Sequence, residues 1–315
     1  MRHPFPLSVS PTALDSFHAC PTQYKYSYVL RLQESGSSRS IHLIAGSAFA
    51  RGLEVMRDAY YNRDQPLATA IILGFIALTL EYGPDLNETW ADHDKSWFNT
   101  VASYLNYLDR FPPPTDSLQP LATITTRMVE FTFSIPSPVL HPETGQPILI
   151  SGRMDWVGTQ GSLIWGVDEK TTKTIGAGWA TNWRLRGQFM CYAWALREYG
   201  YKAQGIWVRG VPINAKASAE QIQEAMVPVK EWKLEMWVQQ MTRYLERMKE
   251  CWRTDAWDQD LGKSCTSFQQ LENGHYIGGC PFQMLCDTPD PEPWISTFER
   301  KPEKNLKGEL VHVKD

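Results

Sequence analysis

No apolar run in this 315-residue sequence is long enough to cross a bilayer: the longest lies at positions 68–80, where about 20 residues would be needed. That run reads as a buried helix. Residues 1–11 carry three prolines and no continuous apolar core, so an export signal is also lacking. Together these absences predict a cytoplasmic protein with no membrane contact. Neither sign of charge dominates: 31 Lys and Arg against 35 Asp and Glu leave a net charge of -4. The whole-protein field therefore offers nucleic acid no attraction, and any such contact must come from a local basic surface. Cysteine is scarce, six in all, which argues against a disulfide framework and makes each thiol's position matter as ligand or core residue. Apolar residues are plentiful. At 43% hydrophobic and 12% aromatic the chain can bury one large core or two smaller ones, and it is not disordered.

The most informative stretch is 152–170, GRMDWVGTQGSLIWGVDEK. Two runs rich in β-branched and aromatic residues flank Gly158 and Gly161, the pattern of a β-hairpin. Alternation puts Arg153, Asp155 and Val157 on one face of the first strand, and Gly166, Asp168 and Lys170 on one face of the second. With the turn near Gly161, Asp155 lies opposite Gly166 or Asp168, roughly 5–8 Å across the ladder. Two carboxylates that close repel unless a cation lies between them, and hard oxygen ligands suit Mg²⁺ or Mn²⁺. A surface hairpin with ordinary charges is the competing account.

Along the rest of the chain, Ser10-Pro11 predicts a capped helix that stops at Cys20-Pro21, and residues 46–58 predict a second. Residues 53–115 read as helices covering or interrupting a core. A strand is expected over 122–135 with Glu130 inside it, then a loop over 136–147. Tyr24, Tyr26, Tyr28, Tyr104, Leu105 and Leu108 are expected to pack. Residues 182–199 predict a helix on which Gln188 and Tyr192 share a face. Arg184 and Arg186 precede it as phosphate contacts or solvated charges. A strand over 203–211 precedes a long helix over 229–252, whose stripe Trp232, Met236, Met241, Tyr244 and Met248 reads as core. Cys191 and Cys251 read as buried thiols. Cys265, Cys280 and Cys286 fall in a Gly-rich C-terminal stretch, and soft thiolates so grouped suit iron-sulfur or zinc.

The D…DxK pattern of Asp155, Asp168 and Lys170 resembles the PD-(D/E)XK nuclease superfamily, in its RecB-like exonuclease branch with an iron-sulfur cluster. Cys20, the helix at Gly46, Asp155, Asp168-x-Lys170, Gln188-x₃-Tyr192 and the terminal cysteines stand in that family's order. The resemblance implies an α/β fold: a single nuclease domain over 1–315, with a mixed central sheet flanked by helices (a restriction-endonuclease-like core). It further implies the helical insertion at 53–115 and a C-terminal region, 265–286, clasped to Cys20. Cys20, Cys265, Cys280 and Cys286 would then hold a [4Fe-4S] cluster, with zinc the rival metal. Fourteen residues between Cys265 and Cys280 depart from the usual spacing.

The implied activity is metal-dependent hydrolysis of DNA from an end. Asp155, Asp168 and the Glu169 carbonyl would bind Mg²⁺ or Mn²⁺, with the Glu169 side chain on the opposite sheet face. Lys170 would orient water or stabilise charge, and Gln188 and Tyr192 would contact the strand. Glu130 matches a second-shell or second-metal position, though a solvent-facing strand glutamate reads equally well. A helicase or CRISPR-adaptation partner fits the same resemblance. The alternatives are a noncatalytic DNA-end-binding or complex-forming protein on this scaffold and, ranked lower, a zinc-stapled enzyme with another substrate. One position departs from the family: the histidine of its GxxxH motif is Ala50 here. A water-filled position, a silenced nuclease and an engineered removal all accommodate it, and each implies weaker metal binding and slow or absent hydrolysis.

Overall fold

Ser10 holds the chain extended and offers Oγ to the Ala13 N–H at 3.2 Å, so helix α1 (Pro11–Ala19) opens at a cap followed by proline. Strand β1 (Ser8–Val9) precedes it. Cys20-Pro21 repeats the device, ending α1 and opening the short α2 (Pro21–Tyr24). A π-helical turn at Lys25–Val29 leads to β2 (Leu32–Glu34). There follow α3 (Ile41–Arg57), α4 (Leu67–Tyr82), α5 (Trp97–Arg110), β3 (Gln119–Pro120), β4 (Phe131–Leu140), β5 (Pro147–Met154), β6 (Trp156–Gln160) and β7 (Leu163–Thr172). Then come α6 (Gly187–Glu198), β8 (Ala203–Pro212), β9 (Gln223–Pro228) and α7 (Glu231–Thr254). The computed structural model describes residues 3–34, 40–83, 91–261, 268–270, 276–278, 280–300 and 312–313. Its C-terminal part adds β10 (Phe268–Gln270), β11 (Tyr276–Gly278), β12 (Phe298–Arg300) and β13 (His312–Val313).

The chain divides into two compact units, each with helices and a mixed sheet. One comprises Arg39–Thr132 and Arg153–Leu234 and holds a five-stranded sheet in the order β3-β6-β7-β8-β9. Strands β6 and β7 form the hairpin expected from the sequence. Gln160 pairs with Leu163, leaving a two-residue turn in which Gly161 takes φ +59°. Strand β7 runs parallel to β8, with α6 in the connection between them. Lys170 lies opposite Gly210, where an added Cβ would meet the Trp179 ring at 2.3 Å. Helix α3 packs on β7, close enough that a Cβ on Gly46 would lie 3.2 Å from Thr171 Oγ1, and Ser103 of α5 donates to the Pro212 carbonyl at 2.8 Å. Alternation then sends Glu169 and Thr171 toward α3, and Asp168 and Lys170 toward α6.

The second unit comprises Met1–Ser38, Phe133–Gly152 and Glu235–Asp315. Its sheet has the order β1-β5-β4-β13, with Ser8 paired in parallel to Leu149. Both ends of the chain enter it. Strand β2 pairs antiparallel with β12, Thr22 Oγ1 donates to the Trp257 and Asp258 carbonyls at 2.9 Å, and Trp252 Nε1 donates to the His3 carbonyl at 2.8 Å. A small core of Tyr26, Leu30, Leu32, Phe282, Leu285 and Phe298 closes this end.

Several expectations change. The strand placed over 122–135 runs instead over Phe131–Leu140, through the supposed loop, and Glu130 lies just before it. Pro136 and Pro138 are two apart, so their missing N–H groups fall on one side of β4, and among the described residues β13 pairs β4 at Phe133 and Ser134. Helix α4 is not buried all round: Ala70, Gly74, Leu78 and Tyr82 face inward while Ile72, Ile76 and Leu80 are exposed. Glycine is needed within that row because an added Cβ on Gly74 would come 2.6 Å from the Gly52 carbonyl of α3. On α7 the buried row is Leu234, Trp237, Met241, Leu245, Met248 and Cys251, leaving Trp232 and Met236 exposed, and Leu105 of α5 is exposed as well. Cys191 and Cys251 are buried as expected. Among the described residues no helix is long and apolar enough to cross a membrane.

Candidate active site

Asp155 occupies the one-residue break between β5 and β6. There its Oδ2 accepts the backbone N–H of Glu169 at 2.6 Å, which ties it to the middle of the DEK sequence on β7. Asp168 is buried, and Lys170 Nζ stands 2.7 Å from its Oδ2 while the lysine side chain stays 30% exposed. The structure therefore brings together the three residues that the sequence singled out.

Their electrostatics are those of a site short of positive charge. Burial, then Asp168 and Glu169, push the Asp155 carboxyl well above its ordinary range, against the pull of Lys170 and the Glu169 N–H. Burial likewise pushes Asp168 up, and the charge of Lys170 only partly offsets it. For Lys170, burial acts downward, but Asp168 and then Asp155 outweigh it and raise the ammonium above its usual value. Lys170 is thus a fixed cation at neutral pH, suited to donating hydrogen bonds and not to accepting a proton.

Gln188 and Tyr192 share a face of α6 as the i, i+4 spacing requires, and they link the two strands. Lys170 Nζ donates to Gln188 Oε1 at 3.4 Å, Gln188 Nε2 to the Tyr192 hydroxyl at 2.7 Å, and that hydroxyl to the Arg153 carbonyl at 2.6 Å. Tyr192 is 4% exposed, so in this arrangement it braces the backbone just before Asp155, while Gln188 is half-buried beside Lys170.

Asp155 opens into a cavity of about 300 Å³ that Glu130, Arg153 and the α3 residues Ser47, Ala50, Glu54 and Arg57 also line. Glu130 stands 3.6 Å from Arg153 and accepts from Thr132 Oγ1 at 3.2 Å. Ala50 presents a methyl to the same space. Sequence reasoning passed over Ser47, Glu54 and Arg57, although their spacing of three, four and three residues through Ala50 is one helix face and was available as a signal. His42, the nearest histidine to Gly46, is exposed in the first turn of α3, with its ring 5.5 Å from that of His93.

Two observations fit this donor set to a hard divalent cation. Asp168 Oδ2 is sealed from solvent with the Lys170 ammonium 2.7 Å away, and a buried carboxylate oxygen with a single cationic neighbour keeps lone-pair capacity for a metal. Burial also raises both aspartate carboxyls, and a divalent cation held between them would offset that cost of ionising them. Asp155, Asp168 and the Glu169 carbonyl would hold Mg²⁺ or Mn²⁺; the Glu169 side chain is engaged with Arg57 at 2.6 Å and is not a ligand.

The cysteines of the terminal unit are less complete. Cys20 is buried at the head of α2, its Sγ accepting from Gln23 N at 3.4 Å and Asp260 N at 3.5 Å. Cys280 and Cys286 pack against the Tyr26–Phe282 core. Cys265 lies outside the described residues. Among the described residues no three His, Cys, Asp or Glu side chains converge as a metal site, so they do not themselves assemble the four-cysteine set.

Among curated proteins none matches the chain. One similar solved structure, the crystal structure of SSO0001, shares 12% identity over 80% of this chain and 89% of its own, with a TM-score of 0.30, a likeness that carries no argument. The family comparison is decisive because it spans the site and both units: residues 8–287 match the PD-(D/E)XK nuclease superfamily. Because that match covers most of the sequence, the chain belongs to that superfamily.

Proposed function

We propose that the protein is a metal-dependent DNA exonuclease, impaired by the methyl of Ala50. The observation that carries this reading is the assembly of Asp155, Asp168 and Lys170 around two carboxylates raised in pKa. Mg²⁺ or Mn²⁺ bound there supplies charge neutralisation and an activated water. Asp155 and Asp168 fix the ligand geometry through the Glu169 N–H and the Lys170 ammonium. Lys170, a permanent cation, donates to water or to the developing negative charge on phosphate. Gln188 and Tyr192 carry the strand-binding proposal, with Gln188 beside the reacting group and Tyr192 setting its angle. Glu130, on the same cavity as Asp155, is proposed as a second-metal or supporting group.

End-labelled linear DNA and a closed circle of the same sequence, each with Mn²⁺ or with EDTA, test the reading. Slow release of label from the linear form alone, and only with Mn²⁺, supports it. Cutting of the circle removes the exonuclease assignment. Salt-sensitive binding of ends with no turnover under any metal leaves the noncatalytic end-binding reading, which the methyl of Ala50 favours.

We also infer a [4Fe-4S] cluster on Cys20, Cys265, Cys280 and Cys286. What supports it is the packing of Cys280 and Cys286 against the small core that contains Tyr26, six residues after Cys20 in the chain. Anaerobically purified protein is expected to carry about four irons per chain with broad visible absorption. Stoichiometric zinc in place of iron would sink this inference.

A further inference from the structure

The residue between Asp168 and Lys170 takes the other face of β7, on the α3 side, where it lines the cavity that Asp155 opens into. The Glu169 side chain, 3% exposed, turns to the α3 side of β7, where three donors meet Oε1: Arg57 Nη2 at 2.6 Å, the Tyr107 hydroxyl at 2.7 Å and Trp156 Nε1 at 2.8 Å. The Arg57 guanidinium lies 4.7 Å from the centre of the Trp156 ring. Beyond Tyr107 the network continues: Arg209 donates to its hydroxyl at 3.0 Å and grips Asp116 with two bonds of 2.7 Å. Trp207 Nε1 donates to Glu224 Oε1 at 2.8 Å at the far end.

Stability alone does not account for so much buried charge, because a buried ion pair is seldom better than apolar residues of the same volume. Position does account for it. The backbone N–H of this same Glu169 is the group that Asp155 accepts at 2.6 Å, and its neighbours on either side are Asp168 and Lys170. Any roll of β7 about its axis would move all of them together.

We propose that Arg57, Tyr107 and Trp156 are positioning residues: by gripping the Glu169 side chain on the α3 face of β7 they fix the backbone step that sets Asp155 against Asp168. The proposal rests on reading Asp155 and Asp168 as cation ligands. Groups that orient metal ligands typically change affinity by about 10–100-fold when removed.

Two matched substitutions test it. Trp156→Phe and Trp207→Phe each delete one buried indole N–H donated at 2.8 Å to a carboxylate of this network, the first to Glu169 and the second to Glu224. In the metal-free full chain, exchange of the Glu169 amide hydrogen is followed by NMR, and Mn²⁺ affinity is then measured by calorimetry. Trp156→Phe is expected to speed that exchange and weaken Mn²⁺ binding at least ~tenfold, on the scale given for such groups. Trp207→Phe should lower Tm comparably and change neither. Where Trp156→Phe fails to fold, Tyr107→Phe, which removes a second donor to Glu169 and keeps the ring, is expected to show the same pair of changes. Equal exchange rates at Glu169 in the matched variants overturn the proposal. If the unmodified chain binds no Mn²⁺, the ligand reading fails by itself, and the exchange rates still decide the anchor.

Discussion

Asp155→Ala, Asp168→Ala and Lys170→Ala are each expected to lower DNA hydrolysis by ~10²-fold or more, the scale for removing a preorganised stabiliser of transition-state charge. Each takes away a different element. Asp155 is the carboxylate tied to the Glu169 N–H, Asp168 is the buried carboxylate paired with Lys170, and Lys170 is the fixed cation beside it. Activity and stability are expected to move in opposite directions at Asp155. Its folded-state pKa is raised, so its contribution to stability is present below the unfolded value and is lost as pH rises through the folded one. Ionising this carboxyl therefore costs stability in the metal-free protein. Asp155→Asn keeps an acceptor for the Glu169 N–H and should raise Tm in EDTA while abolishing hydrolysis. A Lys170→Ala variant with full activity, or an Asp155→Asn variant that melts lower and still cleaves, would remove the assignment.

The second large effect is a gain. Ala50 lines the same cavity as Asp155 and lies one helical turn after Gly46, which packs on β7 beside Thr171. A methyl offers no electron pair. Ala50→His is expected to place an imidazole in that cavity and to tighten Mn²⁺ binding by at least ~tenfold, about 1.4 kcal/mol. Cleavage of end-labelled DNA should quicken with it. His42 does not substitute, since it is exposed at the start of α3 against His93. Calorimetry and cleavage by Ala50→His and by this chain, side by side, decide the matter: two unchanged values would mean that Ala50 does not face the ligand position. The three alanine substitutions, repeated in the Ala50→His background, should then show their losses from a higher starting rate.

Where the sequence was informative, local geometry was enough. Alternation along GVDEK put Asp168 and Lys170 on one face and Glu169 on the other, and an i, i+4 spacing placed Gln188 beside Tyr192; both relations hold because they depend on backbone periods that tertiary packing does not alter. Cap chemistry at Ser10-Pro11 and Cys20-Pro21 fixed two helix ends for the same reason. Pro136 and Pro138 misled because proline cannot donate to a ladder, yet a strand tolerates two of them when their missing N–H groups fall on one side. The exposed row Ile72, Ile76 and Leu80 misled because composition cannot say which face of an apolar helix is covered.

By itself the sequence determined the D…DEK hairpin, the faces of its side chains, the helix that bears Gln188 and Tyr192, and the alanine at the position after Gly46. Tertiary structure alone decided what lies behind that hairpin. Arg57, Tyr107, Trp156 and Glu169 are up to 112 residues apart in the chain, and their union depends on how α3 and α5 pack on β7 and β8. No periodicity encodes that union. A lone arginine on an amphipathic helix and a lone glutamate between two motif residues each read as solvated charges, until the fold removes the water from both and leaves each as the other's partner.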